Sequence, residues 1–265
     1  MRILLNISYL GTDYVGWQHQ ENGPSVQEVV ENALKNALGE KIRVTGASRT
    51  DAGVHAEEQR AHFDTLATIP PDKYPFVLNR YLPPDVRVTF GQQVDECFHA
   101  RFCAERKTYT YRFYNAPHAS AIWHRITCHV PLPLDDSLMA GAVLKLKGEH
   151  DFSAFAAAGG QAKTTVRRIF DASVERNGPF VQLTVTGNGF LYNMVRIIAG
   201  TLVSIGHGKL TPDCFDTALS TGDRLVLGPT APPGGLELTK VRYNAVWGIQ
   251  DPPTAGSHGK RMNLK

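Results

Sequence analysis

The chain has 265 residues and a mass of 29.1 kDa, and 42% of its residues are hydrophobic against 20% charged. This is material for one large or two ordinary packed domains and excludes a disordered chain. The formal charge is only +3, too small an excess to mark a nucleic-acid partner, but residues 1–105 carry 10 basic and 14 acidic side chains while residues 106–265 carry 18 and 11. The positive second half suits a polyanion or an ordinary solvated surface equally.

In chain order, residues 2–9 alternate as a strand with Ile3, Leu5, Ile7 and Tyr9 on one face. A loop follows through Trp17. Ser25-Val-Gln-Glu28 is a capping box, and the helix it opens carries Val29, Val30, Ala33, Leu34, Ala37 and Leu38 toward the core until Gly39 ends it. Short strands are predicted near 42–44, 59–65 and 86–92, with a helix near 75–81. The second half repeats the alternation. Residues 107–114 form a strand with Tyr109, Tyr111 and Phe113 on one face, and Asp135 caps a helix that Gly148 stops. Asn177-Gly178 is a hairpin turn between two alternating runs. Helices follow over 191–205 and from Thr211-Pro212 to Gly222, then a last strand near 236–246. The tail from Asp251, rich in Pro, Gly and Lys, is expected to be mobile.

Strands outnumber helices, and helices fall between strands in both halves. The fold class is therefore α+β, with two RRM-like, split βαβ halves of mainly antiparallel sheet covered by helices. The expected units are residues 1–105, residues 106–250 and a tail of residues 251–265.

Cys97, Cys103, Cys128 and Cys214 have neither CxxC nor zinc-ligand spacing, which points to a reducing cytoplasm and to no bound metal. The amino terminus reads as a strand, not a signal peptide. The longest apolar run, 191–205, is interrupted by Asn193 and Arg196 and is too short to span a bilayer. No Walker loop is present. Gly187-Asn-Gly189 begins like a dinucleotide fingerprint, but Tyr192 occupies the place of its third glycine. ATP and NAD are unsupported.

Three places could carry chemistry. Arg49-Thr-Asp51-Ala-Gly53 combines a carboxylate, a cation and a flexible glycine between strands, as an Asx-type turn also would. Arg196 is the single charge in an otherwise apolar helix. It needs a carboxylate or a ligand phosphate as partner, unless it snorkels to the helix edge. The line of Tyr109, Tyr111 and Phe113 is either core packing or a platform for nucleobases, and Trp17, Phe152 and Phe155 share that ambiguity. His55 and His99 are expected in polar structural roles.

Taken together, these segments resemble the tRNA pseudouridine synthase A family. Arg49-Thr-Asp-Ala-Gly-Val-His-Ala56 is similar to its signature loop. Around it stand Tyr9-Leu-Gly-Thr-Asp-Tyr-Val-Gly-Trp-Gln18, Phe98-His-Ala-Arg101, Lys107-Thr-Tyr-Thr-Tyr111, His150-Asp-Phe-Ser-Ala-Phe155, Gly187-Asn-Gly-Phe-Leu-Tyr-Asn-Met-Val-Arg196 and Thr230-Ala-Pro-Pro-Gly-Gly-Leu236, in the family's order. The resemblance covers residues 2 to about 246. It implies that Asp51 is the catalytic aspartate and that Arg196 pairs with it and lowers its pKa. It implies that Tyr109 lines the pocket and stacks on the target uracil, with a further role as base for the C5 proton open to it. Arg49 would hold the target nucleotide out of the RNA stack. The implied reaction converts uridine to pseudouridine at tRNA positions 38, 39 and 40 in the anticodon arm, without metal or organic cofactor, in a cytoplasmic homodimer whose tRNA contacts both subunits. Cys97 before Phe98 and Arg80 in Asn79-Arg-Tyr-Leu-Pro83 are small departures outside the signature loop. Rival readings are a non-catalytic RNA-binding protein using the Tyr109–Phe113 face, which lacks the expected Gly-Phe-Gly-Phe string, and an aspartate-dependent nucleoside hydrolase, which lacks a water-activating partner for Asp51.

Overall fold

A computed structural model of the chain describes residues 1–160 and 162–252. The first half supplies β1 (Arg2–Tyr9), α1 (Val26–Leu38), β2 (Thr45–Gly46), β3 (His55–Asp64), α2 (Tyr74–Leu78) and β4 (Val86–Val94). The second supplies β5 (Ala104–Asn115), β6 (Cys128–Val130), α3 (Asp136–Val143), β7 (Gly148–Asp151), β8 (Val166–Asn177), β9 (Phe180–Gly187), α4 (Met194–Gly206), α5 (Cys214–Thr221) and β10 (Leu236–Tyr243).

Local rules act where they were expected. Ser25 Oγ accepts the Glu28 N–H at 3.2 Å, and Gly39 ends α1 in the left-handed region at φ 72°. Asp135 caps α3 through the Leu138 N–H at 3.0 Å. The turn at Asn177-Gly178 joins β8 to β9, whose strands pair from Asn177–Phe180 onward. Ile3, Leu5, Ile7 and Tyr9 of β1 are all buried.

The halves do not keep separate sheets. All ten strands form one sheet in the order β4-β1-β3-β10-β5-β9-β8-β7, with β2 on β3 and β6 on β5. The last strand makes the join. β10 runs parallel to β3 through Glu237–His55 and Leu238–Ala56, and antiparallel to β5 from Leu236–Tyr111 to Tyr243–Ala104. Otherwise β3 and β5 would each present an open edge, and β10 fills both while burying Leu236, Leu238 and Val241. After β10 the chain folds back on the first half: Trp247 packs edge-on to Phe98 at 5.5 Å, and the Gln250 carbonyl accepts from the buried Arg60 at 3.1 Å.

Three elements differ from expectation for physical reasons. Residues 42–44 are not a strand, because the Val44 N–H donates to Glu31 Oε1 at 2.9 Å and its carbonyl accepts from Gln27 at 3.1 Å, both side chains of α1. The helix near 75–81 is the shorter α2, which ends at Leu78, where the Asn79 side chain turns to β4, donating to the Val88 carbonyl at 2.8 Å and accepting the Val88 N–H at 2.9 Å. The apolar helix begins at Met194 and not at 191, because Asn193 takes a left-handed conformation at φ 60°. Residues 253–265, most of the expected tail, lie outside the described residues.

Candidate active site

The loop between β2 and β3 carries the first-half residues of the site. Its backbone is held from several directions. The Ala47 N–H donates to the Arg60 carbonyl at 2.7 Å, and Gln59 brackets Ser48, accepting from its N–H at 3.2 Å and donating to its carbonyl at 2.6 Å. The Thr50 carbonyl accepts from Trp17 N–H at 3.1 Å, and its hydroxyl meets Tyr9 Oη at 2.8 Å. Gly53 sits at φ 76°, donates to the Tyr14 carbonyl at 3.2 Å and leaves little room for a side chain against Pro233. Asp51 does belong to a turn, since its carbonyl accepts the Val54 N–H at 3.1 Å. Its carboxylate, however, reaches across to the second half.

There it meets Arg196. Nη1 of Arg196 lies 3.7 Å from Asp51 Oδ2, with side chains 16% and 28% exposed. The early Asn193 break puts Arg196 in the first turn of α4, so the guanidinium leaves the otherwise buried helix at its end. It is then held in place. Nε donates to the Ala231 carbonyl at 2.8 Å and Nη1 to Asn193 Oδ1 at 2.7 Å, while the Arg196 carbonyl accepts the Ala231 N–H at 3.0 Å. At an effective dielectric of 20 the gross attraction of such a pair is about 4 kcal/mol before desolvation is subtracted. Burial raises the Asp51 pKa, and Arg196 acts against it. The expected lowering by Arg196 is therefore present but is outweighed by desolvation.

Tyr109 is buried on β5, with its Oη 2.9 Å from Ser48 Oγ and its ring edge-on to Phe190 at 5.1 Å. Burial pushes its phenol up to about 12, the Ser48 hydrogen bond opposes this, and the Asp51 charge adds to it. The rest of the aromatic line is core. Tyr111 and Phe113 are fully buried and 4.7 Å apart, and Tyr111 Oη donates to the Pro232 carbonyl at 2.7 Å. Trp17, Phe152 and Phe155 are buried too. The extended nucleobase platform required by a pure binding module is thus absent from this strand face. Arg49 is exposed on the same loop as Asp51.

His55 is more closely tied to the site than its expected structural role indicated. Its Nδ1 accepts the Gly11 N–H at 2.9 Å and its Nε2 faces the Gly234 carbonyl at 3.1 Å. The proton therefore sits on Nε2, and burial lowers the pKa of the ring. Through Gly234 it anchors the 231–235 segment whose Ala231 carbonyl holds Arg196. His99 fits the structural reading: Nδ1 accepts from the Arg101 and Phe102 N–H groups, and the ring stacks on Phe102 at 4.3 Å. Sequence reading missed Ser48 and Asn193. The signal for Asn193 was available, because Asn is the non-glycine residue most at ease with positive φ. Among the described residues no three His, Cys, Asp or Glu side chains converge as metal ligands would, and no helix is long and apolar enough to cross a membrane.

The family model described as tRNA pseudouridine synthase matches residues 6–103 and 142–244. The tRNA pseudouridine synthase A of Ruminiclostridium cellulolyticum is 48% identical over 243 residues, covering 91% of this chain and 99% of that protein. Those of Acetivibrio thermocellus and Brevibacillus brevis are each 46% identical, over 91% of this chain and 99% of theirs. A chain of a solved Cbf5–Nop10–Gar1 complex superposes at a TM-score of 0.34 with 13% identity, over 76% of this chain and 45% of that one. With the family model matching most of its length and relatives approaching half identity end to end, the chain belongs to the tRNA pseudouridine synthase family and isomerises uridine in tRNA to pseudouridine.

Proposed function

We propose that the chain acts on uridines 38, 39 and 40 of the tRNA anticodon arm, with Asp51 as the catalytic carboxylate, Arg196 as its partner, Tyr109 as the wall on which the uracil stacks and Arg49 as the side chain that holds the extruded nucleotide. The observation that carries this reading is the Asp51–Arg196 pair, 3.7 Å apart across the junction of the two halves and next to Tyr109. Residues 1–105 supply the aspartate loop and residues 106–250 supply the arginine and the tyrosine. The enzyme works in the cytoplasm as a homodimer, with tRNA touching both subunits.

The chemistry needs only what these residues offer. The N1–C1′ bond breaks, the uracil turns, C5 bonds to C1′, and the proton lost from C5 is balanced by one gained at N1. No oxidant, phosphate donor, metal or organic cofactor enters that balance. Attack by Asp51 on C1′, attack on the base, and removal of a ribose proton all require the ionised carboxylate, and Arg196 favours that form in a desolvated pocket. Extruding the uridine costs a few kcal/mol, and stacking on an aromatic ring returns roughly 1–3 kcal/mol. Tyr109 serves as that ring. A phenol raised to about 12 and bonded to Ser48 is a poor resting base.

Site mapping tests the position. Anticodon stem-loops in which uridine remains at one of the three positions, the others being cytidine, should each yield pseudouridine. Formation only at uridines outside the anticodon arm would overturn the assignment.

A further inference from the structure

Lys107 lies two residues before Tyr109 on β5, so both side chains leave the same face of the sheet, about 7 Å apart along the strand. Its half-buried Nζ donates to the Ala47 carbonyl at 2.6 Å, on the same loop as Asp51. Its cross-strand partners are Gly187 and Val241, which carry no charge. The charges that reach it are Arg101, from the connection between β4 and β5, and Arg167, from β8, and both are cations. Arg167 Nη1 donates to the Thr164 and Val166 carbonyls at 2.9 and 2.6 Å, and its chain lies against Gly189, the residue before the Phe190 that packs on Tyr109. The Arg101 guanidinium lies over the Phe102 ring at 5.9 Å. Among the described residues, no carboxylate pairs with any of the three.

Lys107 and Arg167 have carbonyls for partners and Arg101 an aromatic ring, so the half-buried Lys107 and the two cations that act on it lack a counter-charge, and an arriving anion relieves that cost. We propose that Lys107, flanked by Arg101 and Arg167, binds a backbone phosphate adjacent to the uridine in the Tyr109 pocket. This rests on the reading that Tyr109 walls the uracil pocket. The spacing suits it, because the phosphate next to a base seated at Tyr109 must leave the pocket along the backbone of that same nucleotide. The site thus reads the phosphodiester as well as the base.

Desolvation first, and then Arg101 and Arg167, lower the Lys107 ammonium to about 8. The contribution to binding is therefore present below that pH and is lost as pH rises through it, unless bound phosphate holds the proton.

The test uses the full chain and a fluorescently labelled anticodon stem-loop RNA, with affinity measured against salt and pH. Lys107→Met should weaken binding about tenfold and reduce the slope of log Kd against log salt by about one. Lys107→Arg should restore binding and keep it above pH 8, where the wild type weakens. Arg101→Gln changes an exposed residue and tests the proposal even if the Met variant does not fold. It should move the pH midpoint of binding upward by relieving Lys107. Wild-type affinity and salt slope in Lys107→Met, or an unmoved midpoint in Arg101→Gln, would overturn the phosphate site. Tritium release from [5-³H]uridine tRNA by the wild type is measured in parallel. If it fails, the functional reading is lost, while the salt slope still reports whether Lys107 neutralises an RNA phosphate.

Discussion

The carboxylate of Asp51 and the guanidinium of Arg196 face each other at 3.7 Å, although one comes from a first-half loop and the other from the first turn of a second-half helix. The Ala231 carbonyl and Asn193 Oδ1 hold the arginine independently of the aspartate. Arg196 is thus a preset counter-charge, and Asp51 the group whose ionisation depends on it.

Arg196→Met should therefore act on both rate and pH. Burial already raises the Asp51 pKa, and removing the opposing charge raises it further. The acid limb of the pH–rate profile should move to higher pH, with turnover at neutral pH falling by at least about a hundredfold, the scale of losing a transition-state electrostatic contact. Arg196→Lys should keep part of the shift. An unmoved acid limb in Arg196→Met would separate the arginine from the aspartate's ionisation.

Asp51→Asn should not weaken the fold at neutral pH. A carboxyl whose folded pKa is raised contributes stability below its unfolded pKa and loses it as pH rises through the folded value. At neutral pH the ionised Asp51 is thus a cost that Asn removes, and Arg196 keeps its two other acceptors. Thermal melting at neutral pH should be equal to or above wild type.

Tyr109→Phe preserves the ring and its edge contact with Phe190 but deletes the 2.9 Å hydrogen bond to Ser48. The loss should be about 1 kcal/mol of stability, with turnover kept within about tenfold if the ring is a platform. Turnover abolished with uracil binding intact would instead make the hydroxyl a proton carrier.

Acid should loosen the protein through His62. The ring is buried, its Nδ1 accepts the Ala100 N–H at 3.1 Å, and desolvation, then Arg2 and His99, lower its pKa to about 4. A lowered folded pKa means stability present above the unfolded value of about 6.5 and lost as pH falls toward 4. The loss across that window is on the order of a few kcal/mol. Urea midpoints measured across that window should fall in wild type and fall less in His62→Gln.

Gly200 shows how the partner of Arg196 is held. A methyl group at this position in α4 would strike the Pro229 carbonyl oxygen and the Ala231 N–H. Gly200→Ala should cost about 1–3 kcal/mol by overpacking. By displacing Ala231 it should also lower turnover, read as kcat falling more than KM rises.

Some of this was legible in the residues and some was not. Ser25, Gly39, Asp135 and Asn177-Gly178 act within a few residues of themselves, so their caps and turns could be read directly. The burial of α4 followed from its composition, and that burial left Arg196 either paired with an anion or reaching out at the helix edge. Which anion it meets depends on a loop far away in sequence, and only the resemblance supplied it. The placement of β10 between β3 and β5 was not readable, because alternation identifies a strand but not its neighbours. Ser48, Asn193 and Lys107 were passed over for a similar reason: each acts through single polar contacts that leave no periodicity.

Asp51 is proposed to perform the isomerisation and not merely to bind RNA. Tritium release from [5-³H]uridine tRNA should be compared between wild type and Asp51→Asn, with binding of the same tRNA followed in parallel. Release by the wild type alone, with equal binding by both, is the predicted result. Release by Asp51→Asn at near wild-type rate would remove the aspartate from the chemistry.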